Sequence, residues 1–374
     1  MIYLDNAATT DYKPPQVINA VNDCLTKYPY NPNRSGRQSV QLQQALTATR
    51  QKISLLVNCD QSRVIFTHGC TDALNTAILG TARRGHIVIS CAEHNSVARP
   101  VMRLKERGFA DVSVIEPDTN GNFSVESLSK VVRKDTYLFC LTHASNVTGQ
   151  RHDVAPLGRF CRQNGIVFLV DCAQSMGYFC PDMQNDCIDI VAFGAHKGLH
   201  AMQGAGALAF GNVRIRPVCF GGTGTDSHLL TQPEGLPEAL ESGTLPTPAI
   251  MAMSAGIDWW LNNAKQNEQN VRRAQELILE GLKRIDGVKI YSQPNQSGIV
   301  SFNVKNLDSN FVADVLAERF DVAVRGGLQC APLMHKHLGT LNSGIVRAST
   351  SCVTTQKDCF ALLDGVEYLA KRFE

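Results

Sequence analysis

Between residues 60 and 210, short apolar runs alternate with longer amphipathic stretches. The runs are RVIFT, HIVIS, DVSVIE, TYLFCLT, GIVFLVD, DIVAFG and GALAF. Strands this apolar need cover on both faces, and the helix-length segments between them can provide it. The pattern predicts an α/β fold with a mainly parallel seven-stranded sheet. Beyond about residue 250 it changes to one long helical segment over residues 250–285. GIVSFNV, a helix, VAVRGG, GIVRAST and a last helix follow, a layout that predicts a smaller α+β C-terminal domain. At 374 residues the chain also exceeds the size at which one core usually stops growing. The expected division gives residues 15–255 to the large domain and 1–14 with 256–374 to the small one.

Open α/β sheets bind ligands at the carboxyl ends of their strands, so the residues after each run are the candidates. RVIFT is followed by HGCTDALN, where Gly69 and small neighbours open a helix. Its free N–H groups could hold a phosphate, with the Thr71 hydroxyl as an extra donor, or the stretch could be an ordinary strand-to-helix turn. His94 follows HIVIS, Asn146 follows TYLFCLT, and Asp171 is the first polar residue after five apolar ones. Taken singly, such residues are more often caps or hydrogen-bonded structural groups. Lys197 in GAHKGLHAMQG is either a surface lysine on a turn or an amine kept neutral and nucleophilic beside an apolar floor. Together the set suits one cofactor. Pyridoxal phosphate needs a lysine for a Schiff base, an acid for its ring nitrogen, an imidazole or aromatic plate, and phosphate donors at a helix start.

Charge and cysteine usage narrow the alternatives. The net charge of +2 comes from 36 basic and 34 acidic residues scattered along the chain. No basic block is available to grip nucleic acid or anionic lipid. Asp5 interrupts the N-terminus before any signal-length apolar run, and no later segment suits a membrane span, so a cytoplasmic protein is expected. Thirteen cysteines run from Cys24 to Cys359 without a C-x-x-C pair, so neither a metal site nor a disulfide framework is expected. Cys140 and Cys172 sit in apolar runs and read as small buried hydrophobes. Cys330 lies between a Gly-Gly pair and Ala-Pro, which suggests a loop, although a structural role remains open.

The order YLDNAATT, FTHGCTDALN, EHNSV, HASNVTG, DCAQS, GAHKGL, GGTGT, ESGT, VRGGLQCAPL and VRAST resembles the cysteine desulfurase and selenocysteine lyase branch of the class V aminotransferase family. The resemblance covers essentially the whole chain and implies an aspartate-aminotransferase-like fold with pyridoxal 5′-phosphate as cofactor. It makes Lys197 the Schiff-base lysine, pairs Asp171 with the ring nitrogen and stacks His94 on the ring. Asn146 and Gln174 would bond the phenolic oxygen. Gly69, Cys70 through its backbone, Thr71 and His196 would hold the phosphate, with Ala173 also at the cofactor. Thr223 would reach over from the second subunit of a homodimer. Arg347 would fix the substrate carboxylate, with Asn6 and Ala7 nearby, and the small residues around Lys197 would leave room for the cofactor.

Cys330 falls at the position of the desulfurase nucleophile, which would take sulfur from L-cysteine as a persulfide and release alanine. The thiolate is the reactive form, so a cation beside it is expected, with Arg325 the candidate. The short segment between Arg325 and Arg347 resembles the subgroup with a short catalytic loop, which implies weak turnover alone and stimulation by a sulfur-acceptor protein. Arg37, Ala195, Leu245-Pro246 and Gln329 depart from the usual pattern. The alternatives are a selenocysteine lyase acting on L-selenocysteine, another class V lyase or aminotransferase in which Cys330 is a bystander, and a catalytically idle scaffold.

Overall fold

The computed structural model describes residues 1–32 and 35–373. The chain opens with β1 (Ile2–Tyr3), α1 (Pro15–Thr26), α2 (Arg37–Val57) and β2 (Val64–Thr67). It continues through α3 (Cys70–Gly80), β3 (Gly85–Ser90), α4 (Asn95–Glu106), β4 (Ala110–Ile115), α5 (Val125–Ser129) and β5 (Thr136–Thr142). Then come α6 (Val154–Gln163), β6 (Val167–Asp171), β7 (Ile190–Gly194), β8 (Gly206–Phe210) and the long α7 (Thr247–Leu282). The last third holds β9 (Val288–Ile290), β10 (Ile299–Val304), α8 (Ser309–Phe320), β11 (Val322–Ala323), α9 (Pro332–Leu338), β12 (Val346–Ser349) and α10 (Gln356–Arg372).

The main sheet has seven strands in the order β2-β8-β7-β6-β5-β3-β4, and only β8 runs against the others. Residues on alternate sides of each strand enter different cores. Phe66, Val88, Phe139, Phe168 and Val191 face one side, while Ile65, Ile87, Leu138, Leu169 and Ile190 face the other. Both faces are buried, which is why these strands read as unbroken apolar runs. Edge strand β4 is partly exposed and its sequence accordingly alternates. The chain leaves β3 toward β4 on one side, and later reaches β5, β6 and β7 on the other. That reversal opens a crevice at the carboxyl edge, where open α/β sheets bind their ligands.

A second core surrounds the antiparallel sheet β12-β10-β9, with Leu4, Phe302, Val346, Leu316 and Leu362 at its centre. β1 pairs with β11, so the first residues of the chain join this C-terminal layer. α7 serves both cores: Ile250, Met253 and Ile257 pack in the first, and Ala274, Ile278 and Leu282 in the second. The expected division after residue 255 thus falls inside one continuous helix.

Two glycines beside the Lys197 turn meet each other. A Cβ on Gly177 would lie 2.2 Å from the Gly198 carbonyl carbon, and one on Gly198 would lie 2.3 Å from the Met176 oxygen. Gly198 is therefore small because backbones abut there. Gly194 and Gly204, by contrast, line the cavity that holds the lysine.

Candidate active site

A cavity of about 750 Å³ opens at the carboxyl edge of the main sheet, within the range of small-ligand sites. Gly69, Cys70 and Thr71 enter it from the turn after β2, and His94 from the start of α4. Asn146 follows β5, Asp171, Ala173 and Gln174 come from the end of β6, and His196 and Lys197 follow β7. Ala7 and Arg347 close it from the second layer.

Lys197 and Asp171 set the charge at the floor. Burial disfavours the lysine's ammonium form and lowers its pKa, and Arg347 and Arg325 push the same way. Asp171 is buried, and burial raises its pKa against the opposing hydrogen bonds and the Lys197 charge. Its Oδ1 accepts the Ala173 N–H at 2.9 Å and the Cys70 S–H at 3.3 Å. Its Oδ2 has no hydrogen-bond partner among the described residues.

His94 caps α4: the Ser96 N–H donates to its Nδ1 at 3.0 Å. Burial first, then Lys197, Arg325 and other cations, bring its pKa down to about 4. At neutral pH the ring is therefore uncharged, with its proton on Nε2. Ser96 Oγ lies 2.9 Å from the same Nδ1 and 2.8 Å from Thr71 Oγ1, which ties the α4 start to the turn after β2. In that turn Gly69 is the N-cap of α3 at φ 147° and no side chain caps the helix, leaving its first N–H groups for an anion. The turn rests on β8: a Cβ on Gly206 would lie 2.5 Å from the Phe193 oxygen and 2.8 Å from the Gly69 carbonyl carbon. His196 is held near pKa 4 by burial and by Lys197 and Lys13.

Arg347 is 1% exposed and binds Asp5 Oδ1 through Nη2 at 2.7 Å and the Asn146 carbonyl through Nη1 at 2.9 Å. Asn6 donates to the Ser349 carbonyl at 2.9 Å, and the Ala7 N–H donates to Ser349 Oγ at 2.9 Å. Gln174 Nε2 in turn donates to the Ala7 carbonyl at 2.9 Å. Beside Arg347, across a β-bridge, Arg325 extends Nη2 to within 3.5 Å of Cys330 Sγ.

Cys330 stands in the turn before α9, and both Gln329 (φ 42°) and Cys330 (φ 58°) are left-handed, an uncommon state for side-chain-bearing residues. Their surroundings hold them there. Asn146 Nδ2 donates to the Gln329 carbonyl at 2.6 Å, and the Asn95 N–H to the Cys330 carbonyl at 2.7 Å. The Gln329 side chain donates to the Ile345 carbonyl at 2.8 Å and pairs with His335 Nε2 at 2.9 Å. Gln329, a departure noted in the sequence, thus braces the loop.

Thr223 lies apart, in a smaller hollow of about 300 Å³ with Asn31, Pro32 and Gly222. Three residues at the site escaped sequence reasoning: Asp5, Ser96 and Glu93. Glu93 is fully buried, with Oε1 accepting from Ser90 Oγ and the Thr142 N–H. Burial raises its pKa to about 8. Each had only weak local signals, an acid before a small-residue run for Asp5, and positions flanking His94 for the other two.

The chain belongs to the class V aminotransferase family, which matches residues 2–362. Its similarities within that family run to cysteine desulfurases. It is 32% identical to a probable cysteine desulfurase of Methanothermobacter thermautotrophicus, over 99% of this chain and 94% of that protein. It is 31% identical to a cysteine desulfurase of Shewanella loihica, over 88% of this chain and 80% of that one. A solved apo cysteine desulfurase from Thermococcus onnurineus superposes with a TM-score of 0.91 at 28% identity, covering 100% of this chain and 95% of that one. The family and the seven-stranded, mostly parallel fold expected from the motifs are the ones found.

Proposed function

We propose that the protein is a cytoplasmic, homodimeric cysteine desulfurase that uses pyridoxal 5′-phosphate. One observation carries the reading: a single cavity gathers Lys197, Asp171, His94 and Arg347 together with Arg325, whose guanidinium is 3.5 Å from Cys330 Sγ. The residues fit the cofactor. The uncapped α3 start, with Gly69, Cys70, Thr71 and His196, suits the phosphate. Asp171 keeps one carboxylate oxygen for the ring nitrogen, and the neutral His94 offers a flat face. Asn6 Oδ1, His196 Nδ1 and Arg347 Nε are buried around the cavity without partners among the described residues. Buried polar atoms seldom stay unpaired, so this pattern suits a site that its ligand completes. Asn146 and Gln174 would serve the phenolic oxygen, at the expense of their present bonds to Gln329 and Ala7.

When bound, pyridoxal phosphate supplies an electron sink for charge developing at the substrate Cα. Lys197 would hold it, and its amine, whose pKa burial lowers, would be the base for moving the Cα proton. Arg347 binds the substrate carboxylate, with Asn6 and Ala7 shaping that end. Arg325 gives the Cys330 thiolate a counter-charge as it attacks the substrate sulfur. The new S–S bond forms as the Cβ–S bond breaks. The carbon fragment keeps the electron pair, takes up a proton and leaves as alanine, and Cys330 retains the sulfur as a persulfide.

The dimer reading draws on the segment over residues 211–246, which has neither helix nor strand, carries Thr223 and exposes Phe220, Leu229 and Leu230. Thr223 of the partner subunit would complete the phosphate site. Because the Cys330 loop is short and braced, sulfur should leave only to an acceptor that enters the pocket.

The test is release of alanine and sulfide from L-cysteine, with a reductant present, by the purified protein and by C330A. Equal amounts of both products from the wild type, lost in C330A, support the reading. Undiminished release by C330A, or release from L-selenocysteine alone, overturns it in favour of a lyase that does not need the thiol.

A further inference from the structure

The start of α3 does more than offer N–H groups. Cys70, its first residue, sends its thiol across the ends of β8 and β7 to the end of β6, where it meets Asp171 Oδ1 at 3.3 Å. Gly194 on β7 stands beside it: a Cβ there would make ordinary contact with the Cys70 Cβ at 3.6 Å. With the Ala173 N–H on the same oxygen at 2.9 Å, Oδ1 has two donors and Oδ2 has none. We propose that Cys70 is a positioning residue for Asp171, its S–H engaging Oδ1 so that Oδ2 is the oxygen left for the cofactor's ring nitrogen. The inference rests on the pyridoxal phosphate reading given above.

The chemistry of the sulfur supports a donor role. Burial, reinforced by the Asp171 charge, pushes the Cys70 thiol well above its ordinary pKa, against the pull of Lys197. A thiol that stays protonated can only donate to a carboxylate. The other titratable groups bearing on Asp171 are Lys197 and the buried Glu93, which is a neutral acid below about pH 8, with Arg347 and Arg325 acting on Lys197 in turn. The consequence is architectural: one helix start would anchor the phosphate with its backbone and orient the ring's acid with its first side chain.

The experiment compares wild type, C70A and C70S, each loaded with pyridoxal phosphate, by pH titration of the visible absorption band and by the rate of cofactor release. Without the S–H donor, Asp171 becomes a stronger acceptor and holds the ring nitrogen's proton more firmly. That lowers the proton affinity of the nitrogen joining the cofactor to Lys197. The C70A midpoint should therefore move down by about half a pH unit. C70S, which keeps a donor of similar size, should return most of the way to wild type. A C70A midpoint and release rate equal to wild type overturn the proposal while leaving the cofactor reading intact. Equal shifts in C70A and C70S overturn it too, since packing and not hydrogen bonding would then be at issue. A wild-type protein that binds no pyridoxal phosphate overturns the cofactor reading and this inference with it.

Discussion

Replacing Asp5 by alanine removes the only acidic group bonded to a buried arginine among the described residues at the site. The pair is short, 2.7 Å, with Arg347 1% exposed and Asp5 21% exposed. Deleting one partner of a fully buried pair costs about 3–5 kcal/mol, whereas an exposed pair is worth about 0–1 kcal/mol. Arg347 keeps its bond to the Asn146 carbonyl, and Asp5 is partly wetted. The expected loss in D5A is accordingly about 2–3 kcal/mol, between the two limits. For a chain of 374 residues that is a fall in melting temperature of roughly 2.5–4 °C. The guanidinium, no longer held from behind, should also bind the substrate carboxylate less well, raising KM for L-cysteine about tenfold while kcat changes less. D5N keeps an oxygen that can accept from Nη2 and should recover part of both effects. Thermal melts and steady-state kinetics on the three proteins decide the matter. A D5A protein that melts with wild type and shows an unchanged KM refutes the claim that Asp5 holds Arg347.

Two further outcomes follow from burial near the cavity. Glu93 has its pKa raised from 4.5 to about 8 by burial, so the folded state binds its proton through a window in which the unfolded state has lost it. Its contribution to stability is present below pH 4.5 and is lost as pH rises through 8. E93Q, which mimics the neutral acid, should gain on wild type between those values, read as urea midpoints at pH 5 and pH 8. A constant difference at the two values would exclude it. G206A drives a Cβ to 2.5 Å from the Phe193 oxygen and 2.8 Å from the Gly69 carbonyl carbon. It should cost about 1–3 kcal/mol and speed cofactor loss by moving the α3 start. G235A, where nothing lies within 4 Å of the added Cβ, is its neutral control.

The large sheet was legible because each strand is buried on both faces. TYLFCLT and GALAF coincide with β5 and β8 to the residue, and the other five runs match within two positions at either end. Strand order and the reversal of β8 were not legible, since neither face nor neighbour is encoded in a run that is apolar throughout. The strand-end candidates Thr71, His94, Asn146, Asp171 and Lys197 line one cavity because one carboxyl edge collects the loops on that side. Partners far apart in sequence were out of reach. Asp5 and Arg347 are 342 residues apart, and nothing local marks either as half of a pair. Gln329 was visible as a departure, but its bracing of the Cys330 turn depends on His335 and Ile345, which only the folded loop brings to it.

The threading of the first ten residues bears on how the protein is made. Ile2 and Leu4 bond to Asp321 and Ala323, Ala7 to Ser349 and Gln174, and Thr10 to His196. A ribosome delivers these residues before any of their partners, and Ser349 follows Ala7 by 342 residues. At about 5–20 residues per second the leading segment waits roughly 20–70 s for the last of them. The sheet can form in that interval, whereas the pocket cannot, because Arg347 emerges 342 residues after its acidic partner. A nascent chain is thereby barred from closing this cavity until residue 349 has been synthesised.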